Sequence, residues 1–154
     1  MNPLSTIKGT LISGLLIAIA IALLPIEVIA GRPSLSIIVW VHVLAGITWI
    51  GILYYFNFVQ VPALAEAASD EGGPGGAGIT KYVAPNALLW FRWGAVVTWL
   101  TGAAYLLRNG DFIGAFTLGA MEGGTAYQTT IGIGAWLGTI MFFNVWVLIW
   151  PNQK

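Results

Sequence analysis

The sequence predicts an all-α membrane protein, a polytopic bundle of four transmembrane helices. Of the 154 residues, 58% are hydrophobic and 8% are charged, and the mean hydropathy is +0.84, whereas soluble domains carry about 25% charged residues. Four segments are apolar over the roughly 20 residues that a helix needs to cross the hydrocarbon core. We therefore expect one transmembrane domain, residues 1–154, with helices at about residues 7–30, 35–62, 86–107 and 129–150.

The composition also excludes several classes of function and cofactor. The formal net charge is zero and cysteine is absent. A balanced charge offers no basic patch for nucleic acid. A chain without cysteine forms no disulfide, binds no iron–sulfur cluster and attaches no c-type haem. Any redox cofactor has to be held non-covalently.

The first predicted helix has Lys8 at its start and Glu27 near its far end. A cation before an apolar run that closes in Val-Ile-Ala is also typical of a signal peptide, but we expect this segment to be retained as a membrane span. Glu27 lies close in sequence to Arg32, in the short turn that leads to the second helix. This position favours an interfacial carboxylate over a proton carrier.

The second predicted helix carries the only histidine, His42, in an uncharged run from Leu35 to Val61. An ionisable side chain in hydrocarbon costs free energy and is usually functional. On the same helical face, Gly46 could admit the edge of a planar ring and Trp49 could pack on its surface. Neutral imidazole is a common axial ligand of b-type haem; the alternative is a hydrogen bond from His42 to another helix.

A haem b at His42 raises the question of a second axial ligand, because the chain has no other histidine. Met141, in the fourth predicted helix, is the candidate within the chain. A five-coordinate haem and a ligand from a second chain are the alternatives. The metal ligand that the sequence predicts is His42, with Gly46, Trp49, Arg92 and Met141 as further cofactor-binding candidates.

The third predicted helix follows a flexible glycine-rich loop, residues 69–80, and carries Arg92 five residues into its apolar run. Arginine at this depth is costly unless it is paired, reaches the headgroups or lines a wet cavity. The neighbours Trp90, Phe91 and Trp93 can stack on a guanidinium group. Arg92 is therefore either a clamp for an anion, such as a haem propionate or a planar anionic substrate, or a cation that reaches the membrane surface.

Small residues recur every four positions in the third and fourth helices, at Gly94, Thr98 and Gly102 and at Gly134 and Gly138. In lipid this spacing lets helices approach closely. It favours a compact bundle or a seam between two copies of the chain.

Three amide side chains lie in or beside the predicted spans: Asn57, Gln60 and Asn144. Asn57 and Asn144, with Arg92, are the substrate-binding candidates, although amides more often join helices. The sequence has no Ser-His-Asp set, no HExxH motif and no phosphate-binding loop, so it identifies no catalytic residue.

The loops favour an orientation in which both termini are cytoplasmic. Lys8, Lys81 and Lys154 would then lie inside, and Arg32 and Arg108 outside, in agreement with the excess of cations on cytoplasmic loops.

Three blocks of the sequence carry a family resemblance. They are WVHVLAGITWIGILYYFNFVQVPAL (Trp40 to Leu64), APNALLWFRWGAVVTWLTG (Ala84 to Gly102) and GAWLGTIMFFNVWVLIWPNQK (Gly134 to Lys154). In this order they resemble the membrane domain of bacterial membrane-bound urate hydroxylase, the urate oxidase N-terminal domain family. The histidine helix also resembles, more weakly, the small haem-b-containing membrane oxidases of porphyrin synthesis.

The first resemblance implies a multi-pass domain of the bacterial inner membrane. In full-length members this domain is joined to a cytochrome c, and the protein is thought to oxidise urate and to pass electrons to the respiratory chain. His42, Arg92 and Asn144 lie in the matching blocks and are the site residues that the resemblance implies. The chain covers the first half of that domain and has no cysteine for a cytochrome c, so we expect a separate cytochrome c as a candidate partner.

Two functions follow from these observations. One is a membrane subunit of the redox or electron-transfer class that holds haem b through His42, with Arg92 neutralising an anionic group. The other is an accessory subunit that packs against a larger respiratory, photosynthetic or oxygenase complex. A stand-alone urate enzyme ranks last, because its polar candidates are scattered. With either function we expect membrane lipids and a second copy or another subunit as partners, since four short helices bury little surface.

Overall fold

The computed structural model describes residues 6–23, 33–121 and 123–153. Throughout these ranges the regular structure is helical and contains no strand, so the all-α prediction is confirmed for them. Contacts divide the chain into two compact units, Met1–Ile37 and Ile38–Lys154, and each is described by itself.

The first unit contains helix α1, Ile7–Leu23. The Thr6 hydroxyl accepts a hydrogen bond from the amide of Gly9 at 3.1 Å and so satisfies one of the free amides of the first turn. The apolar stretch Ile7–Ala20 is shorter than a membrane span. The rest of the predicted first span, residues 24–30 with Glu27, lies outside the described residues.

Helix α2, Pro33–Tyr55, leads into the second unit, and the helical path continues past residue 62, where the sequence predicted its end. A π-helical turn, Phe56–Gln60, joins α2 to helix α3, Val61–Ser69. Pro62 lies at the start of α3, where the missing amide proton costs little, and the alanine-rich residues after it favour helix. The whole of Leu35–Ser69 is long and apolar enough to cross a membrane.

Helix α4, Ala84–Asn109, follows a π-helical turn, Ile79–Val83. It ends at Gly110, whose positive φ of 79° lets its amide bond back to the last turn. Although α4 has 26 residues, it is not among the helices apolar enough to span a membrane. Arg92 and the interspersed threonines and glycines lower its hydropathy.

The connection after α4 contains a short helix that the sequence did not predict, α5, Phe112–Phe116. It packs on helix α6, Ala126–Phe143. Gly132 permits this contact, because a Cβ at that position would overlap the carbonyl of Ala115. Trp136 adds a hydrogen bond from its Nε1 to the Phe116 carbonyl at 3.0 Å.

Helix α6 begins with a capping box. The Thr125 hydroxyl accepts from the Gln128 amide, and the Gln128 side chain accepts from the Thr125 amide, both at 3.2 Å, which satisfies two first-turn donors. A π-helical segment, Asn144–Ile149, continues α6. Together they form the second helix that is long and apolar enough to span, Ala126–Ile149.

The described residues thus contain two helices able to cross a membrane by length and composition. They correspond to the second and fourth predicted spans. Among the described residues the third predicted span does not meet this measure, and only residues 7–23 of the first are described, so a bundle of four spans is not established by the fold.

The hydrophobic core of the second unit consists of Trp49, Phe91, Ala95 and Val145. It lies where α2, α4 and the π-helical end of α6 meet. A Cβ on Gly94 would stand 3.2 Å from the backbone nitrogen of Trp49. Glycine at this position therefore allows α2 and α4 to approach closely.

Candidate functional site

A cavity of about 490 Å³ lies among α2, α4, α5 and α6. Its volume falls within the range of about 300–1,000 Å³ that is typical of small-molecule sites. Its polar lining comes from His42, Thr98, Tyr105 and Tyr127. The rest is apolar and includes flat aromatic side chains and glycines, among them Trp49, Trp99, Phe116, Gly102, Gly134 and Gly138.

The imidazole of His42 is anchored to α4 through Nδ1. This nitrogen lies 2.9 Å from the carbonyl oxygen of Thr98 and 3.2 Å from the hydroxyl of Thr101. A carbonyl only accepts hydrogen bonds, so Nδ1 carries the ring proton and donates it. The Thr101 oxygen can accept as well, because its own proton is donated to the Val97 carbonyl at 2.6 Å.

The second ring nitrogen of His42 is available to a ligand. With the proton on Nδ1, Nε2 of the neutral ring keeps its lone pair. In the described ranges, the hydrogen bonds of the His42 ring are all made by Nδ1, and the ring lines the cavity. The hydrogen bond between helices that the sequence left as an alternative is therefore present, and it leaves Nε2 free.

Gly102 is the small residue that faces the imidazole. A Cβ there would lie 3.1 Å from Cε1 and 3.4 Å from Nδ1 of His42. The sequence had singled out Gly46 for this position, but Gly46 faces the methyl group of Thr98 and does not line the cavity. Gly102 on α4 takes that place because α2 and α4 pack face to face.

The structure brings Trp49 to the cavity with His42, but it places two other cofactor candidates elsewhere. Met141 packs against the hydrophobic core and does not line the cavity. Arg92 is ten residues from Gly102 on α4, which corresponds to about 15 Å along the helix axis. Its guanidinium group stacks on Trp150, with the central carbon 3.5 Å from the ring centre.

The two asparagines that the sequence proposed for substrate binding are exposed. Asn57 donates its side-chain amide to the Leu53 carbonyl of its own helical path at 2.8 Å. Asn144 begins the π-helical segment after α6. Neither residue lines the cavity, so the structure does not bring Asn57, Asn144 and Arg92 together with His42.

Two tyrosines of the cavity were missed by the sequence reasoning. The phenols of Tyr105 and Tyr127 lie close to each other and to the Asp111 carboxylate. Asp111 in turn accepts from the side-chain amides of Asn109 and Gln128, at 2.8 and 3.1 Å. The sequence signal for Tyr105 is its position one helical turn after Gly102, the glycine that faces His42. The place of Tyr127 in the cavity depends on how α6 packs, and the sequence gives no such signal for it.

Comparison of the chain with protein-family models, with curated proteins and with solved structures finds no match. The resemblance to the urate hydroxylase membrane domain consequently depends on the three sequence blocks alone.

Proposed function

We propose that this protein is an integral membrane subunit of the electron-transfer class, whose cavity holds haem b with His42 as the axial ligand. The observation that carries the proposal is the state of the His42 ring. Metal-ligating histidines usually donate the other ring nitrogen to a carbonyl or hydroxyl, which fixes the tautomer and makes the ligand more basic. Here Nδ1 donates to the Thr98 carbonyl, and the ring faces the cavity.

The membrane placement is supported by the exposed apolar faces of the spans. In each of the two candidate spans only 11% of the most apolar window is buried within the chain. A surface of this kind is unfavourable in water, and hydrocarbon or another protein has to cover it. The proposal includes four spans, a bacterial inner membrane and cytoplasmic termini, as the sequence predicts.

The lining fits a flat, largely apolar cofactor. Trp49, Trp99 and Phe116 offer ring faces and exclude water, and Gly102 leaves room beside the imidazole. Tyr105 and Tyr127 supply hydroxyl groups for a polar edge. When bound, haem b would supply one-electron transfer, and the axial ligand and the hydrogen bonds behind it would tune its potential.

The fit is incomplete at two points: the second axial position, and the haem propionates, because Arg92 stacks on Trp150 and does not line the cavity. Met141 lies in the core and not at the cavity. We therefore favour a five-coordinate haem, or a sixth ligand supplied by a second copy of the chain or by another subunit.

A separate cytochrome c as redox partner follows from the resemblance, and we retain it as part of the proposal. Urate as the substrate receives less support from the structure. A purine anion needs several convergent polar groups, but Arg92, Asn57 and Asn144 do not share one site with the cavity.

The second candidate function is an accessory subunit of a larger membrane complex. The observation that favours it is the exposure of two tryptophans on α4, 64% for Trp90 and 54% for Trp93. Large aromatic side chains are enriched at protein interfaces.

The test is the haem content of the purified protein, measured as the pyridine haemochrome. We expect stoichiometric haem b in the wild type and none in His42→Ala. Thr101→Val keeps the Thr98 carbonyl as the acceptor for Nδ1 and should therefore retain haem. Its haem affinity should fall by about tenfold, which is the lower end of the loss expected when a metal ligand loses a hydrogen-bond partner. Thr48→Ala, which removes only a bond to Leu44 within the same helix, is the matched control.

Haem-free wild type, purified with its native subunits, would contradict the proposal and favour the accessory role. In that case His42→Ala should leave the activity of the surrounding complex intact, and the protein should co-purify with other subunits in a fixed ratio.

A further inference from the structure

The wall that α6 contributes to the His42 cavity is thin. Four cavity-lining residues of α6 lie on one face of the helix, at spacings of three or four positions: Tyr127, Ile131, Gly134 and Gly138. Gly134 is exposed although it lines the cavity. A Cβ at Gly134 or Gly138 would have no atom of the described residues within 4 Å. Within the described part of the chain, the cavity therefore opens to the outside at these glycines.

The opposite rim of this opening belongs to α2. Val39 lines the cavity one helical turn before His42 and is 40% exposed. The His42 ring is bonded to the α4 carbonyl that precedes Trp99, and Trp99 donates its Nε1 proton to the Thr139 hydroxyl of α6 at 2.9 Å. Since α2 and α6 both run antiparallel to α4, Val39 and Gly134 lie about 4.5 and 7.5 Å from this common level, toward the same end.

The opening lies at the depth of the proposed membrane span. Gly134 comes eight residues after Ala126, where the span Ala126–Ile149 begins, which corresponds to about 12 Å along the helix axis. Its neighbours on α6, Ile133 and Leu137, are apolar and exposed. In the membrane placement proposed above, hydrocarbon and not water therefore faces the opening.

The end of the cavity beneath α5 is closed by hydrogen bonds. Phe116 of α5 lines the cavity, and its carbonyl accepts from Trp136 at 3.0 Å. Just beyond α5, the carbonyl of Leu118 accepts from the Thr129 hydroxyl at 2.8 Å. A molecule that entered past α5 would have to break these bonds, whereas entry past Gly134 breaks none of the described hydrogen bonds.

The groups along the opening fit an amphipathic molecule. The ring of Tyr127, near the start of the span, is 46% exposed, and Tyr105 lines the cavity beside it. Their hydroxyl groups offer a polar edge near the membrane surface, where tyrosine is favoured. Gly134 and Gly138 lie deeper and leave room for an apolar ring. A molecule with one polar edge and an apolar body matches both parts.

We infer that the His42 cavity takes up its ligand sideways from the bilayer, through the opening between Val39 and Gly134. The ligand class is a flat, amphipathic molecule dissolved in the membrane. The inference rests on the membrane placement and the cavity of the proposed function, and it adds the route of entry and the class of ligand. It does not require that the ligand is haem.

The first experiment tests the surroundings of Gly134 without any haem. The chain has no cysteine, so Gly134→Cys can carry a single nitroxide spin label in proteoliposomes. We expect the label to collide more often with oxygen, which concentrates in hydrocarbon, than with a water-soluble nickel chelate. A label that collides mainly with the nickel chelate would overturn the inference, because the opening would then face water.

The second experiment measures the rate at which haemin moves from preloaded vesicles into the reconstituted apoprotein. Gly134→Phe places a ring in the opening, so uptake then requires a conformational change and should be slower by about tenfold or more. Gly51→Phe is the matched control. Gly51 is also an exposed glycine of a span, with no atom of the described residues within 4 Å of its Cβ, but it does not line the cavity. Its uptake rate should equal that of wild type.

Equal uptake rates in Gly134→Phe and Gly51→Phe, with equal Tm values for the two variants, would overturn the inference and leave the proposed function standing. A wild type that takes up no haemin contradicts the proposed function. In that case the spin label at Gly134 alone decides whether the cavity opens to the bilayer.

Discussion

The imidazole of His42 is held from one side only. The Thr98 carbonyl and the Thr101 hydroxyl both lie at Nδ1, so the ring is oriented without using Nε2. A histidine that served only to join two helices would not need to line a cavity, as His42 does. The arrangement is what a ligating histidine requires: a fixed tautomer, a fixed ring plane and a free lone pair.

Gly102→Ala tests whether the ring position matters. The added methyl group would stand 3.1 Å from Cε1 and 3.4 Å from Nδ1 of His42, so the ring has to shift and its bond to the Thr98 carbonyl has to lengthen. We expect haem affinity, measured by titrating apoprotein, to fall by about 10-fold to 100-fold, as for other losses of support behind a metal ligand.

Gly134→Ala provides the comparison for that experiment. Gly134 also lines the cavity, but a Cβ there has no atom within 4 Å. Its haem affinity should stay near the wild-type value. If both alanine variants lose haem equally, the effect comes from cavity volume and not from the position of His42.

The middles of the helices could be predicted from the sequence, but their ends could not. Long apolar runs located α2, α4 and α6, because a helix in hydrocarbon has to be apolar over its length. The extension through Pro62 to Ser69 and the π-helical segments have no simple signal in the sequence. The position of helix α5 also depends on tertiary contacts, because the helix packs on α6 at Gly132.

Close approach of α2 and α4 is a second testable property. In Gly94→Ala the new Cβ would stand 3.2 Å from the backbone nitrogen of Trp49, and backbone cannot move aside as a side chain can. Overpacking of this kind typically costs about 1–3 kcal/mol. Thermal denaturation in detergent should show a lower Tm for Gly94→Ala than for Gly51→Ala, whose Cβ has no atom within 4 Å. Equal Tm values would mean that the helices are not in close contact there.

The candidate site was partly predictable for the same physical reasons. His42 was identified because an ionisable residue in an apolar run is rare, and Trp49 followed from its spacing on one helical face. Gly102, Tyr105 and Tyr127 depend on which faces of α2, α4 and α6 meet. Met141 and Arg92 were included with His42 by residue type, and the packing places them away from the cavity.

The second unit as a whole has little interior of its own. Its core consists of a few side chains around Trp49 and Phe91, and most large apolar side chains of the spans are exposed. We expect such a chain to depend on lipid or on partner subunits for its stability.

The most direct test of the central claim is a reduced-minus-oxidised visible spectrum of His42→Gly that has been incubated with haemin, with and without imidazole, and then freed of unbound haemin. Glycine removes the ligand and leaves space for a free imidazole in the cavity. We predict the Soret and visible bands of a bound haem b in wild type, their loss in His42→Gly, and their return when imidazole is added. A band that persists in His42→Gly without imidazole, or a wild type without any band, would contradict the assignment of His42 as the haem ligand.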